Sequence, residues 1–211
     1  MICFCYNLYV MKISSLLSQV SFKKTLVANC SVIKKEDTVL PCQIFSLSQK
    51  EDIDYFEKVN NAKDWECARY LCYLKDDLKT IDDDEDYSIF ALETLDGDCL
   101  AYAEIVKKTQ NVDEVLYLET VPSQTYLNSR KATCKYIGET MLSFMVKKSK
   151  QEKSRRVELH PSISATSFYL DNCYFSKPHC ETDPFYLPRY RYPNLIDKNE
   201  RHTHSSIELI G

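Results

Sequence analysis

The sequence predicts an α/β protein built on a mixed sheet, and three observations carry that expectation. Two β-rich runs, Tyr87–Leu95 and Cys99–Lys107, flank Asp96-Gly97-Asp98, the strongest hairpin signal in the chain. Between the strand-like runs Glu114–Val121 and Arg156–His160 lies one amphipathic helix, Ile137–Lys150, with Ile137, Met141, Phe144 and Met145 at i, i+4, i+7 and i+8. A strand–helix–strand crossover of that kind makes at least part of the sheet parallel. The composition, 44% apolar and 27% charged over 211 residues, is that of a globular chain able to bury a core.

The remaining elements follow in order. Residues 1–35 read as an N-terminal appendage, a short helix around Ile13–Val20 and then irregular chain; residues 36–211 read as one domain. Thr38–Phe45 is rich in β formers, and Pro41 marks it as an edge or short strand. Ser48 with Glu51 forms a capping box that opens a helix through Ile53, Phe56 and Val59. A second helix covers Lys63–Leu78 and ends at the acidic run Asp82, Asp83, Asp84, Glu85, Asp86. That run is a solvated loop or a rim that draws in cationic substrates. The strand Glu114–Val121 stops at Pro122 and a polar loop, Ser123–Lys135, leads to the amphipathic helix. The helix has a basic end (Lys147, Lys148, Lys150) that suits the dipole. Ala165–Asn172 is a short helix. Prolines at 178, 184, 188 and 193 suggest a loop-rich remainder before a last strand, Ser206–Ile210.

Composition excludes several functions. Only three glycines occur, where average usage gives roughly fifteen, so neither a dinucleotide fingerprint nor a Walker loop can be written. A net charge of −4 does not favour nucleic acid. Ten cysteines are scattered without a C-x-x-C pair and read as mostly reduced, buried small hydrophobes in a cytoplasmic chain. Cys173, His179, Cys180, His202 and His204 lack paired ligand spacing, so no metal is expected, and His202-x-His204 reads as an exposed tail. No apolar run reaches a membrane span and no basic region precedes an apolar stretch at the start, so no membrane segment or secretory signal is expected.

The order of elements carries a family resemblance. YLETVP at 117–122, YIGETMLSFM at 136–145, RRVELH at 155–160 and ATSFYLDNCYF at 165–175 together resemble the GNAT (Gcn5-related N-acetyltransferase) superfamily over roughly residues 85–175. The resemblance implies a mixed, mostly antiparallel sheet with a central parallel pair and a splayed cleft. It also implies acetyl-CoA as co-substrate, with its pyrophosphate at a helix N-terminus where free N–H groups and the dipole favour an anion. The family's Gln/Arg-x-x-Gly-x-Gly/Ala loop falls on Thr133, Cys134, Lys135, Tyr136, Ile137 and Gly138, next to Glu139. Thr133 and Tyr136 depart from it, and Arg130, Lys131 or Lys135 could supply the missing cation. Gly138 is otherwise a site of close helix–sheet packing.

By the same resemblance the pantetheine arm meets backbone groups near Thr120 and Val121, and Ser162 stands where the pattern has Asn. Tyr169 takes the place of the general acid that protonates the leaving thiolate, or else packs the short helix onto the sheet. Glu119, with Glu104 second, is the candidate base for the amine, and His160 lies close by. The final Gly-Phe of the pattern is Tyr174-Phe175 here. The function implied is an N-acetyltransferase acting by direct attack on a small-molecule or protein amine, with a GNAT-like binding or regulatory module as the alternative.

Overall fold

A computed structural model describes residues 24–47, 87–120, 133–180 and 182–210. Nine strands form one sheet among these residues, in the order β6-β1-β2-β3-β4-β5-β7-β8, with β9 pairing β1. They are β1 (Thr25–Lys34), β2 (Val39–Leu47), β3 (Tyr87–Thr94), β4 (Cys99–Thr109), β5 (Val112–Thr120), β6 (Cys134–Lys135), β7 (Arg156–Leu159), β8 (Phe185–Pro188) and β9 (Glu208–Leu209). Two helices, α1 (Ile137–Gln151) and α2 (Tyr192–Thr203), pack against the sheet and each other. The sheet is antiparallel except for β5 and β7, which run parallel, as the crossover requires.

The hairpin forms where Asp-Gly predicts it. Gly97 takes φ 90°, Thr94 N–H bonds Asp98 O at 2.9 Å, and the Thr94 hydroxyl accepts from Asp98 N–H at 3.1 Å. Helix α1 buries Ile137, Met141, Leu142, Phe144, Met145 and Val146, and Phe144 meets Phe90 of β3 edge-on at 5.0 Å. At about 1.5–3 kcal/mol per buried side chain, this stripe outweighs the roughly 1 kcal/mol that a missing N-cap side chain costs. Packing holds α1 in place, which leaves its N-terminal N–H groups available.

Four expectations are corrected. Residues 25–34, read as irregular chain in an appendage ending at 35, form β1 inside the sheet, with alternate residues Ala28, Cys30 and Val32 buried. The strand at Pro41 is internal, between β1 and β3, and not an edge. Pro41 is tolerated because pairing with β3 begins only at Cys42. The loop-rich C-terminal stretch contains β8 and α2: Pro193 sits in the first turn of α2, where its missing N–H is no loss. The polar loop before α1 likewise ends in β6, paired with Ile33 and Lys34 of β1. The expected helices at 13–20, after Ser48 and over 63–78, the acidic run, and Val121, Arg130 and Lys131 lie outside the described residues.

Of the six described cysteines, Cys30, Cys42, Cys99, Cys134 and Cys173 are buried, and Cys180 is exposed. Burial pushes the Cys42 thiol up to about 12, so it is inert at neutral pH. No helix among the described residues is long and apolar enough to cross a membrane.

Candidate active site

The site starts where two parallel strands part. Only Val112–Val115 of β5 pair with Arg156–Leu159 of β7. The register of β4 against β5 steps from Ile105↔Val115 to Glu104↔Tyr117, so Leu116 is an extra, bulged residue. The bulge turns β5 and reverses which side chains face α1. β7 ends just before Pro161. The stretch of β5 from Leu116 to Thr120 therefore has no ladder partner in β7, and a wedge opens beside it.

A cavity of about 430 Å³ fills the wedge. Leu118 and Thr120 of β5 form one wall, and Cys134, Lys135, Tyr136, Ile137, Gly138 and Glu139 form the end. Ala165, Phe168, Tyr169 and Asn172 form the opposite wall, and His202 of α2 reaches its rim. The spacing 165, 168, 169, 172 is one face of a helical segment; it runs as a 3₁₀ turn over Ile163–Ala165 and a π turn over Phe168–Asn172.

The first bond inside α1 is Thr140 N–H to Tyr136 O at 2.8 Å, and no side chain caps the helix. The N–H groups of Ile137, Gly138 and Glu139 thus have no hydrogen-bond partner among the described residues at the end of the cavity, at the positive pole of the dipole. A Cβ on Gly138 would lie 3.5 Å from Phe168 Cζ and 3.6 Å from Thr120 Cγ2, an ordinary contact. Close packing therefore does not demand glycine there, and alanine fits the space.

Tyr136 takes φ 64° and ψ 14°, the left-handed conformation that glycine favours. Its ring stacks on His202 at the rim of the cavity, 4.4 Å between centroids and 24° between planes. The gap is open and the tyrosine does not fill it. Tyr174 also has positive φ, 62°.

Behind the end wall is a charged cluster. Glu139, 4% exposed, accepts from His202 Nδ1 at 2.8 Å and pairs with Lys198 Nζ at 3.5 Å. Lys198 also donates to Asn172 O at 2.6 Å. Asn199 Nδ2 donates to Thr140 Oγ1 at 2.9 Å, tying α2 to α1.

Tyr169 is buried, with its ring edge-on to Phe168 and Phe175 at 5.1 and 5.7 Å. Burial first, then the nearby Cys173 thiol, pushes its phenol up to about 12, so it stays protonated at physiological pH.

The sequence-derived residues divide clearly. Thr120, Cys134, Lys135, Tyr136, Ile137, Gly138, Glu139 and Tyr169 meet at the cavity. Thr133 is exposed beside it, its carbonyl accepting from Lys35 N–H at 2.8 Å. Ser162 is exposed at the start of the 3₁₀ turn, 3.1 Å from Ser164 Oγ. Glu119 lies between two lining residues, and strand alternation sends its side chain to the opposite face of the sheet, as it does Glu104. His160 is exposed, 3.7 Å from Glu114 Oε1, away from the cavity. Lys135 lines the cavity while its ammonium bonds Asp37 at 2.6 Å.

The sequence reading missed His202, Asn172, Phe168 and Leu118. Helical spacing from Ala165 and Tyr169 points to Phe168 and Asn172. His202 was unreadable while α2 went unrecognised.

No protein-family model and no curated protein matches the sequence. Solved structures do match. A chimera containing the spermidine N-acetyltransferase SpeG of Vibrio cholerae is 12% identical, with TM-score 0.54, covering 72% of this chain and 98% of that one. A variant of the Vibrio cholerae enzyme is 12% identical, with TM-score 0.52 and coverage of 72% and 96%. A structure from Exiguobacterium sp. 255-15, described as a candidate acetyltransferase, is 12% identical, with TM-score 0.50 and coverage of 72% and 97%.

Proposed function

We propose that this chain, whose fold is that of the GNAT acetyltransferases, is itself an N-acetyltransferase that carries acetyl from acetyl-CoA to an amine. The observation that carries the reading is the 430 Å³ cavity, which joins the open side of β5 to the N-terminal N–H groups of α1. An extended thioester with an anionic end suits such a space: apolar walls for the pantetheine arm, a helix start for the pyrophosphate.

In this reading the acceptor nitrogen attacks the thioester carbonyl in a ternary complex. A backbone N–H on the stretch of β5 beyond its pairing with β7 stabilises the developing oxyanion. The C–S bond then breaks, and Tyr169 gives its proton to the departing thiolate. The phenol is the fitting donor because it is never ionised near neutral pH. The amine's proton leaves to solvent water, because strand alternation puts the Glu119 carboxylate on the face of the sheet opposite the cavity.

A cationic amine is the proposed acceptor. The neighbours named for spermidine and the acidic run at 82–86 both support it. The test is calorimetry with acetyl-CoA, followed by a screen of polyamines, aminoglycosides and lysine peptides. No heat of binding at millimolar acetyl-CoA sinks the reading. The open gap beside Tyr136 favours it over a binding module without catalysis.

A further inference from the structure

We propose that α2 supplies the cationic pole of the phosphate site, with Lys198 and His202 in place of the side chain that Thr133 cannot provide. The inference rests on the reading that the cavity takes acetyl-CoA.

Among the described residues of the loop, neither Thr133 nor Lys135 serves. Thr133 carries no charge and lies outside the cavity. Lys135 has its ammonium committed to Asp37 at 2.6 Å. On α2, by contrast, Lys198 and His202 sit one turn apart and converge on the end wall. Both are already oriented. His202 is held by its stack on Tyr136 and its bond to Glu139 at 2.8 Å. Lys198 is held by Asn172 O at 2.6 Å and Glu139 at 3.5 Å, with the Tyr174 ring 5.7 Å from its Nζ. His202 itself lines the cavity, and Lys198 stands behind the wall residues Glu139 and Asn172 that it bonds.

The carboxylate of Glu139 then acts as a placeholder. It is buried at the positive end of the α1 dipole and shares both bases. An incoming phosphate competes with it for the Lys198 ammonium and for the imidazole Nδ1 of His202. This gives a test in which one substitution changes affinity in the direction opposite to the others.

Calorimetry is run on the full chain with acetyl-CoA and with S-acetyl-pantetheine, which has the same arm and no phosphates. Lys198→Met and His202→Phe keep the packing and the ring stack but remove the charge-assisted bonds. Each should weaken acetyl-CoA by about tenfold or more while leaving S-acetyl-pantetheine unchanged. Lys198→Arg should restore most of the loss. Glu139→Gln frees the bases and should tighten acetyl-CoA several-fold. Unchanged acetyl-CoA affinity in the first two variants overturns the proposal. So does a parallel loss of S-acetyl-pantetheine, which marks α2 as mere support, or weaker acetyl-CoA binding in Glu139→Gln. Wild type that binds neither ligand overturns the acetyltransferase reading and this proposal together; wild type that binds while the variants do not differ overturns only the proposal.

Discussion

Tyr136 holds a conformation that a side chain resists, so its substitutions should rank in an unusual order. At φ 64° a Cβ costs roughly 1–2 kcal/mol, whatever lies beyond it. Tyrosine offsets this by stacking on His202 at 4.4 Å, a contact worth about 0.5–1.5 kcal/mol. Alanine keeps the strain and loses the stack, so Tyr136→Ala should destabilise by about 1 kcal/mol. Glycine loses the same stack but also the strain, against about 0.5–1 kcal/mol of extra chain entropy in the unfolded state. Tyr136→Gly should thus lie above Tyr136→Ala by about 0.5–1 kcal/mol and close to wild type. The usual ranking of the two residues is the reverse at an ordinary helix position. Thermal unfolding reads the difference as a Tm gap of about 1–4 °C for a chain of this size. Alanine equal to or above glycine would refute the argument that strain at 136 is offset by the ring.

Three further outcomes test other parts of the structure. Tyr169→Phe keeps the edge-on contacts with Phe168 and Phe175, so KM should stay within about twofold while kcat falls about a hundredfold or more; an unaltered kcat removes the phenol from proton transfer. Gly138→Ala should fold as well as wild type, gaining a few tenths of a kcal/mol of helix propensity, and still bind acetyl-CoA, whereas Gly138→Leu should abolish binding by filling the cavity; calorimetry and melting curves separate the two. Burial raises the Glu93 carboxyl above its usual range despite Lys24 Nζ at 2.6 Å. The folded state then holds this proton more tightly than the unfolded one. Its contribution is present below the ordinary carboxylate pKa and is lost as pH rises through the raised value. Glu93→Gln should therefore gain in Tm over wild type as pH rises from about 4 to about 8, and parallel Tm curves would count against it.

Elements with local signals were legible in the sequence. Asp96-Gly97-Asp98 specifies its turn from three residues, and the α1 stripe repeats over four turns, so both survive any tertiary context. β1 was not legible: Thr25–Lys34 carries Asn29, Cys30 and Ser31 mid-strand, and its burial comes from neighbours that a local reading does not see. α2 was hidden by Pro193, which reads as a breaker unless the helix is known to start there. Once α2 is in place, Leu195, Ile196, Asn199 and Thr203 fall on one buried face and Lys198 and His202 flank it. The site divides on the same ground. Residues of the loop before α1 and of the segment holding Tyr169 were placed by a pattern of neighbours in sequence. His202 arrives from some sixty residues further on, and only the packing of α2 on α1 brings it to the rim.

The glycine shortage takes on a physical meaning from this. The two positions where the GNAT pattern has glycine and this chain has tyrosine, 136 and 174, are both left-handed, at φ 64° and 62°. The backbone has kept the conformation that glycine would allow, and the side chains have been accommodated. Each tyrosine is gripped by α2 or the residue that precedes it. His202 stacks on Tyr136, Lys198 lies 5.7 Å from the Tyr174 ring centroid, and Arg191 donates to Tyr174 O at 3.2 Å. A left-handed residue with a side chain persists only where its surroundings over-determine it, and here those surroundings are one helix. The departures from the pattern are thus not independent losses. They form a unit with α2, and that unit ties the shape of the cavity's end wall to a C-terminal helix that the pattern itself does not contain.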